Sequence, residues 1–415
     1  MDEASYKLLL LFGLIPEELE EEITENTIGQ IQSAANNLQW ELARGLESIL
    51  GPRVSLLNFP YVGAYPKNYR KLSIPGTSFC LPKGCHARSV KFCNLIFYKH
   101  FSRRYHAKKA IKEWLNGQSD DAPVVILAYA LTSDFVECIR FAKRMRQDLL
   151  SCVIVPDLPQ YMNTSSAREG SLVSWAKNYD MRFIESHLSC VDAFVVLTEQ
   201  MADVLSADRY LVMEGIAPDV HAEKGYEETK TKRVAYTGTM NSRYGVVDLV
   251  DDFMGIDDPD MELVLCGDGD AASYVKSAQK LDSRISYLGV LPRKEILKIQ
   301  SEATLLVNPR RNDEEFTKYS FPSKLLEYLA SGTPVVAYEL DGAPREYGEY
   351  IAYVDPLDEC GMQKTLQRYC HKTQEELELI GKKGQRFVRQ EKSSSRQAAR
   401  VAEFLESLLD DRSDK

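Results

Sequence analysis

Lys318-Tyr319-Ser320-Phe321-Pro322-Ser323-Lys324-Leu325-Leu326-Glu327-Tyr328-Leu329-Ala330-Ser331-Gly332-Thr333-Pro334-Val335-Val336 reads as a short helix with both ends specified, followed by a strand. Ser320 is suited to cap the N-terminus and Pro322 fits the first turn, while Gly332 stands past the last helical residue and Pro334 forbids continuation. Leu325, Leu326 and Leu329 take the core side. That leaves Lys324 and Glu327, three apart, to face a cleft. A helix N-terminus with free N–H groups beside a lysine suits phosphate, and a carboxylate one turn further on suits the hydroxyls of a ribose. The plain alternative is a surface ion pair of little energetic value.

Outward from this segment, apolar strand-like runs alternate with amphipathic helical stretches almost from end to end, the pattern of doubly wound α/β architecture. In the second half, strands are expected at Val234–Tyr236, Met261–Cys266, Ile285–Leu288, Thr304–Val307 and Pro334–Tyr338. The first half shows strands near Leu8–Phe12, Val54–Phe59, Lys91–Phe97, Val124–Ala128, Cys152–Pro156, Ala193–Leu197 and Tyr210–Met213. Helices are expected between them, among them Ile28–Leu50, His106–Leu115 and Phe135–Arg146. The organisation is therefore a first α/β domain over 1–216, a polar linker over 217–232, a second α/β domain over 233–392 and a helical segment over 393–415 that continues a charged tail starting near Gln374.

Ligands of open parallel sheets bind beyond the carboxyl ends of the strands, where the strand order reverses. Those ends carry Gly238, Thr239 and Arg243 after the first strand of the second domain, Asp268-Gly269-Asp270 after the second, Gly289-Val290-Leu291 after the third and Asn308-Pro309-Arg310-Arg311 after the fourth. Taken singly, each is ordinary turn chemistry, and the two aspartates need no metal. Three arginines beside a helix N-terminus suit a diphosphate, whose oxygens guanidinium groups grip in a fork.

The chain has 415 residues, with 51 Lys plus Arg against 61 Asp plus Glu, and its net charge of -10 argues against a general nucleic-acid binder. No apolar run reaches the ~18 residues that span a bilayer. Lys7 to Ile15 follows acidic residues and lacks a cleavage site, so it reads as a buried strand and not as a signal peptide. Nine scattered cysteines fit reduced thiols in a cytosolic protein. Cys80, Cys85, His86 and Cys93 lack the paired spacing of a zinc site, and no metal is assigned.

One region is strongly basic: Lys99, His100, Arg103, Arg104, His106, Lys108, Lys109 and Lys112, interleaved with Phe97, Tyr98, Phe101 and Tyr105. It reads either as a solvated helix face or as a surface attracted to an anionic membrane and a lipid-linked diphosphate acceptor.

Leu306-Val307-Asn308-Pro309-Arg310 and the segment from Ser320 to Val336 resemble the donor-binding region of family 4 glycosyltransferases, of the GT-B fold. The resemblance spans about 233–356, with Val155-Pro156-Asp157-Leu158-Pro159 similar to part of the acceptor-side domain. It implies two Rossmann-like domains facing each other across a cleft, a last helix crossing back to the first domain, and retaining transfer from a nucleotide diphosphate sugar, UDP- or GDP-linked, without metal or other cofactor. Glu327 falls on the second glutamate of the family's E-x7-E motif, which binds the ribose. Tyr319 stands where the first, sugar-contacting glutamate would be. Gly238 and Thr239 match the loop that approaches the diphosphate, with Arg243 as one of its basic residues. Arg310 and Lys324 supply further charge and act in catalysis, while Val290 and Leu291 match the stretch whose backbone reads the base. Ser320, Phe321 and Ser323 complete the donor-side segment. Asp157 orients the acceptor, in a Pro156-Asp157 pair where the family has His-Asp. The expected acceptor is a glycan or lipid-linked molecule in surface polysaccharide or glycolipid synthesis, in the cytoplasm and peripheral at the inner membrane face. A non-catalytic GT-B partner of an active transferase is the alternative, motivated by Tyr319 and the missing histidine. A sugar-nucleotide epimerase fits the helix segment less well, and a nicotinamide enzyme lacks its G-x-G-x-x-G.

Overall fold

The computed structural model describes residues 6–29, 31–119, 122–160, 171–218 and 232–413. The chain divides into two compact units, Met1–Met213 together with Ser394–Lys415, and Glu214–Ser393.

The first unit runs β1 (Lys7–Phe12), α1 (Glu17–Asn26), α2 (Ser33–Leu50), β2 (Val54–Asn58), β3 (Ser73–Ile74), β4 (Thr77–Cys80), β5 (His86–Ser89), β6 (Phe92–Cys93), α3 (Tyr98–Asn116), β7 (Val124–Tyr129), α4 (Ser133–Met145), β8 (Leu150–Val155), α5 (Ser171–His187), β9 (Ala193–Val196), α6 (Glu199–Leu205) and β10 (Tyr210–Val212). Its main sheet has the order β10-β9-β8-β7-β1-β2-β5-β4. All neighbours pair in parallel except β4 with β5. β7 and β8 are buried along their whole length, which is why VVILAY is a continuous apolar run and LSCVIV is interrupted only by Ser151, whose hydroxyl donates to the Cys190 carbonyl at 3.1 Å. The chain passes from β1 to one side of the sheet and returns to β7 on the other, so the strand order reverses between β1 and β7.

Lys91–Phe97 is not a strand of the main sheet: only Phe92–Cys93 is extended, paired antiparallel with Ser73–Ile74. Asn94 interrupts it, with its side-chain amide on the Gly63 carbonyl and its N–H on that of Leu72. The helix expected over Ile28–Leu50 begins at Ser33, behind a separate α1 made from the acidic stretch. The helix expected from His106 begins a full two turns earlier, at Tyr98.

The second unit runs β11 (Lys232–Thr237), α7 (Val246–Met254), β12 (Met261–Cys266), α8 (Ala272–Leu281), β13 (Ile285–Gly289), α9 (Arg293–Glu302), β14 (Leu305–Asn308), α10 (Ser323–Ser331), β15 (Val335–Ala337), β16 (Ile351–Tyr353), α11 (Gly361–Cys370) and α12 (Gln374–Glu391). Its all-parallel sheet has the order β13-β12-β11-β14-β15-β16, the order of nucleotide-binding Rossmann domains. Side chains alternate between two cores, as the two-residue period of a strand requires. Val234, Tyr236, Leu263 and Leu265 pack with α7 and α8. Ala235, Val264 and Cys266 pack on the other face with Leu325, Leu326, Tyr328 and Leu329 of α10. The strand order reverses between β11 and β14.

The helical tail is broken in two. α12 ends at Lys392, whose buried ammonium pairs with Glu214 and lies 2.7 Å from Glu346. α13 (Ser394–Ser413) belongs to the first unit: Ser394 Oγ donates to the Glu41 carbonyl at 2.7 Å and Arg412 to Asp192 at 2.6 Å. Of the polar linker read over 217–232, residues 219–231 lie outside the described residues, and the N–H of Ala217 donates to the Lys392 carbonyl at 2.8 Å.

Candidate active site

At the reversal point of the second unit the loops after β11, β12, β13 and β14 are laced together. The N–H of Gly238 donates to the Cys266 carbonyl at 2.9 Å, that of Met240 to Asp268 at 3.0 Å and that of Gly267 to Gly289 at 2.8 Å. Gly245 has φ +75, and a Cβ there would lie 2.4 Å from the carbonyl oxygen of Pro309. The loops after β11 and β14 can therefore touch only because this residue lacks a side chain.

α10 leads into this rim. Its first residue is Ser323, Pro322 holds the N-cap position and no side chain caps it, so its first N–H groups stay open to a ligand. Ser320, expected as the cap, does something else: its hydroxyl accepts from Arg310 at 2.6 Å and donates to the Phe316 carbonyl at 3.3 Å. Ser320 closes a 3-10 turn over Glu315–Tyr319, and Phe321 and Pro322 stand between it and the helix it was expected to start. Phe321 is buried against Tyr347.

Arg310 is 9% exposed, and its Nε is buried without a hydrogen-bond partner. Its guanidinium lies over the rings of Phe316 (4.8 Å) and Tyr244 (5.4 Å). No carboxylate among the described residues pairs with it. Burial holds its pKa below the usual arginine value. The other two arginines are engaged: Arg243 binds Glu314 with two donors, at 2.8 and 2.7 Å, and Arg311 turns away onto Tyr338, donating to its hydroxyl at 2.8 Å.

Glu327 is not a surface carboxylate; it is 8% exposed. Its Oε1 accepts from Gln300 at 2.6 Å and from Lys324 at 2.9 Å, and its Oε2 from Arg293 at 3.1 Å. Burial raises its pKa, but Lys324, Gln300 and Arg293 outweigh it and hold the carboxylate ionised, below the usual range. Three of its roughly four acceptor positions are filled, which leaves room for one hydroxyl. Gln300 Nε2 also donates to Thr237 Oγ1 at 2.7 Å, and the Tyr328 hydroxyl accepts from the Thr237 N–H at 2.9 Å while donating to its carbonyl at 3.1 Å. α9, α10 and β11 thus converge on one buried polar network. Gln300 and Arg293 carry no motif of their own; Tyr328 lies within the Ser320–Val336 segment, but the bonding of its hydroxyl to Thr237 is not legible there. Thr239 holds its loop through its carbonyl, which accepts from Tyr236 at 2.8 Å. Val290 projects into solvent beside Leu291, which packs on the core.

The first unit has its own cavity at its reversal point, about 580 Å³, lined by Tyr61, Tyr129, Thr27, Asn68, Gln32 and Asp157 among others. Gly13, at the end of β1, lies against the ring of Tyr61, where a Cβ would sit 2.5 Å from the ring carbons. The Tyr61 hydroxyl donates to the Tyr129 carbonyl at 2.6 Å and accepts from the Ala130 N–H at 2.9 Å. Asp157 opens onto this cavity, and the surrounding protein pushes its carboxyl up to about 6.

Much of the basic cluster turns inward. Asp134 is buried under Arg104 (2.9 Å), His100 (3.1 Å) and Arg103 (3.7 Å). Burial opposes its ionisation, but His100, Arg103 and Arg104 prevail and bring it down to about 2. Lys108 pairs with Glu137 at 2.6 Å. Lys99 donates to the Val62 carbonyl, and burial together with Arg103 brings its ammonium down to about 7. The rings of Phe97, Phe101 and Tyr105 stay exposed.

The fold is GT-B: two Rossmann-like α/β units, each built on a mainly parallel sheet whose strand order reverses once. A family model described as glycosyl transferases group 1 matches residues 231–371, the span that holds Arg310 and the buried network around Glu327. No curated protein sequence matches the chain significantly. Among solved structures, the catalytic domain of starch synthase IV from Arabidopsis thaliana bound to ADP and acarbose is similar, with TM-score 0.64 at 9% identity over 98% of this chain and 100% of that one. So is Anabaena Alr3699/HepE in complex with UDP and glucose, with TM-score 0.59 at 12% identity over 97% and 100%. The alpha,alpha-trehalose 6-phosphate synthase of Burkholderia multivorans gives TM-score 0.58 at 11% identity over 97% and 99%. At such identities these likenesses establish the fold.

Proposed function

We propose that the protein is a retaining glycosyltransferase of the family 4 type, which moves a sugar from a nucleotide diphosphate sugar, UDP- or GDP-linked, to a glycan or lipid-linked acceptor. The observation that carries this reading is a buried guanidinium without a carboxylate, Arg310, tied through Ser320 to the entry of a helix that holds an ionised, nearly buried Glu327. The first arrangement suits a diphosphate and the second a ribose hydroxyl. Similar structures that hold ADP or UDP by their printed descriptions support a nucleotide in the same fold.

In this reading Glu327 accepts from the ribose, and the backbone at Val290 and Leu291 meets the base. Arg310, Lys324 and the open N–H groups of α10 stabilise the negative charge that grows on the departing phosphate. Arg243 and the Gly238-Thr239 turn flank the diphosphate. Tyr319, in place of a carboxylate, and Ser323 shape the sugar subsite. The acceptor hydroxyl attacks the anomeric carbon from the face that the phosphate leaves, and a phosphate oxygen takes its proton, so no metal enters the step. Asp157 and the hydroxyls and amides of the 580 Å³ cavity orient the acceptor. No described helix is long and apolar enough to cross a membrane, and the exposed rings of α3 beside Lys109 and Lys112 fit peripheral contact with an anionic bilayer in surface polysaccharide or glycolipid synthesis at the cytoplasmic face.

Calorimetry against UDP, GDP, ADP and their sugar conjugates, with Arg310→Met and Glu327→Ala alongside, tests the reading. Binding of one nucleotide class that both variants lose supports it. A folded protein that binds none overturns it. Binding without turnover on any conjugate and acceptor favours a non-catalytic partner of an active transferase.

A further inference from the structure

A second cavity of about 480 Å³ lies in the first unit, between the β4–β5 hairpin and α3, away from the reversal point. Arg88, Lys91, His106 and Lys109 line it, with the hydroxyl of Ser78 and the ring of Tyr105, and no carboxylate is among its lining residues. Glu113 stands outside and only partly compensates: it takes Arg88 at 3.0 Å and reaches Lys109 at 4.0 Å. Facing the His106 ring are Lys91 and Lys109, which with burial hold its pKa below the ordinary value, and Tyr105, whose ring meets it edge-on at 5.2 Å. In a chain of net charge -10, this much uncompensated positive charge around one concavity is a cost that an anion would relieve.

We infer that this cavity is a phosphate-binding site, formed by Arg88, Lys91, His106 and Lys109, that takes a phosphate ester carried either by a soluble sugar or by a lipid headgroup. The size of the cavity admits the ester together with a sugar ring or glycerol, and Tyr105 offers a face on which such a group can rest. Tyr98, Phe101 and Tyr105 follow at helical spacing on the exposed side of α3, so a phosphate at the bilayer surface can also reach the cavity. The inference stands on the geometry of the first unit and is independent of the donor-side reading.

The test uses the full chain, histidine-labelled for NMR, titrated with inorganic phosphate and glycerol phosphate, and in parallel sedimented with vesicles of phosphatidylglycerol or of phosphatidylcholine. Lys91→Glu combined with Lys109→Glu is the loss variant. Lys280→Glu, an exposed lysine on α8 of the second unit, is the control for diffuse charge. A soluble phosphate that shifts His106 and raises its pKa, with affinity lowered at least about tenfold in the double variant and kept in the control, establishes the site with a soluble ligand. Binding to phosphatidylglycerol vesicles alone, lost in the double variant and kept in the control, establishes it with a headgroup. No response of His106 to either, or a response that survives the double variant or falls equally in the control, overturns it. Nucleotide binding measured on the same variants stays unchanged, which separates this outcome from failure of the donor site.

Discussion

Arg310 sets a guanidinium nitrogen 2.6 Å from the hydroxyl of Ser320, and this contact carries a strand-end cation to the mouth of α10. The same arginine is buried and has no carboxylate among the described residues to neutralise it. An unpaired buried cation is a liability for folding, and one placed at an open helix N-terminus is an asset for binding an anion. Stability and function should therefore move in opposite directions on replacing it. Arg310→Met is expected to raise the unfolding free energy, by roughly 0.5–2 kcal/mol as at other strained functional positions, while nucleoside diphosphate affinity falls at least about tenfold. Thermal unfolding with and without nucleotide reads both effects. A variant that is less stable and binds as before would assign Arg310 to packing.

Gln300 and Glu327 act as a unit, with the amide holding Oε1 at 2.6 Å from inside while Lys324 holds it from the rim. Glu327→Gln replaces a carboxylate by an amide that cannot accept from both donors at Oε1 and also serve a ribose. Its affinity for a nucleoside diphosphate should fall about tenfold or more, and its affinity for inorganic pyrophosphate should not change. Equal losses for the two ligands would move Glu327 from the ribose to the general electrostatics of the site. Gln300→Leu should cost about 1–3 kcal/mol of stability through the lost buried hydrogen bonds, measured by urea unfolding.

How far this site is legible in the sequence differs residue by residue. The helix of α10 and its end at Gly332, which takes φ +77, follow from local chemistry: a proline start, an apolar face and a left-handed stop. Lys324 and Glu327 follow from the three-residue spacing on that helix. Ser320 does not, because whether a serine caps a helix or meets an arginine depends on where a strand ten residues earlier delivers its side chain. Gln300 and Tyr328 are invisible for the same reason, since their roles arise only when α9 and β11 pack against α10. The basic run of α3 misleads by charge alone: half of it is consumed by Asp134 and Glu137 on α4, a pairing that sequence separation hides. The short hairpin β4–β5 and the two-residue β6 carry too little periodicity to announce themselves.

Asp134 ties α3 to α4, and its pKa of about 2 lies below the ordinary 3.8. A lowered folded-state pKa stabilises the fold above about 3.8, and that contribution disappears as pH falls from there through about 2. The first unit should therefore lose on the order of 2–3 kcal/mol over that acidic window. Asp134→Asn should remove a similar amount at neutral pH and flatten the acid limb. Unfolding curves at pH values on both sides of the window, for the wild type and the variant, check the expectation. Parallel curves for the two proteins would mean that the Arg103, Arg104 and His100 contacts contribute nothing net.

Asp157 gives the opposite sign. Its carboxyl is pushed up to about 6 from 3.8 by partial burial at the cavity mouth, so the folded state favours the protonated form. The resulting stabilisation is complete below 3.8 and is lost as pH rises through about 6. It is small, because the group opens to solvent. The larger consequence is for the acceptor. If the ionised carboxylate accepts from the attacking hydroxyl, kcat/KM should rise with pH through about 6 and then level. Asp157→Asn should lower kcat/KM and remove that rise, because the amide keeps one charge state throughout, and nucleotide affinity should be unaffected. A profile that still bends near 6 in the variant would place the titrating group elsewhere. Lys99, brought down to about 7 with its ammonium on the Val62 carbonyl, is then the group to change next, because Val62 lines the same cavity.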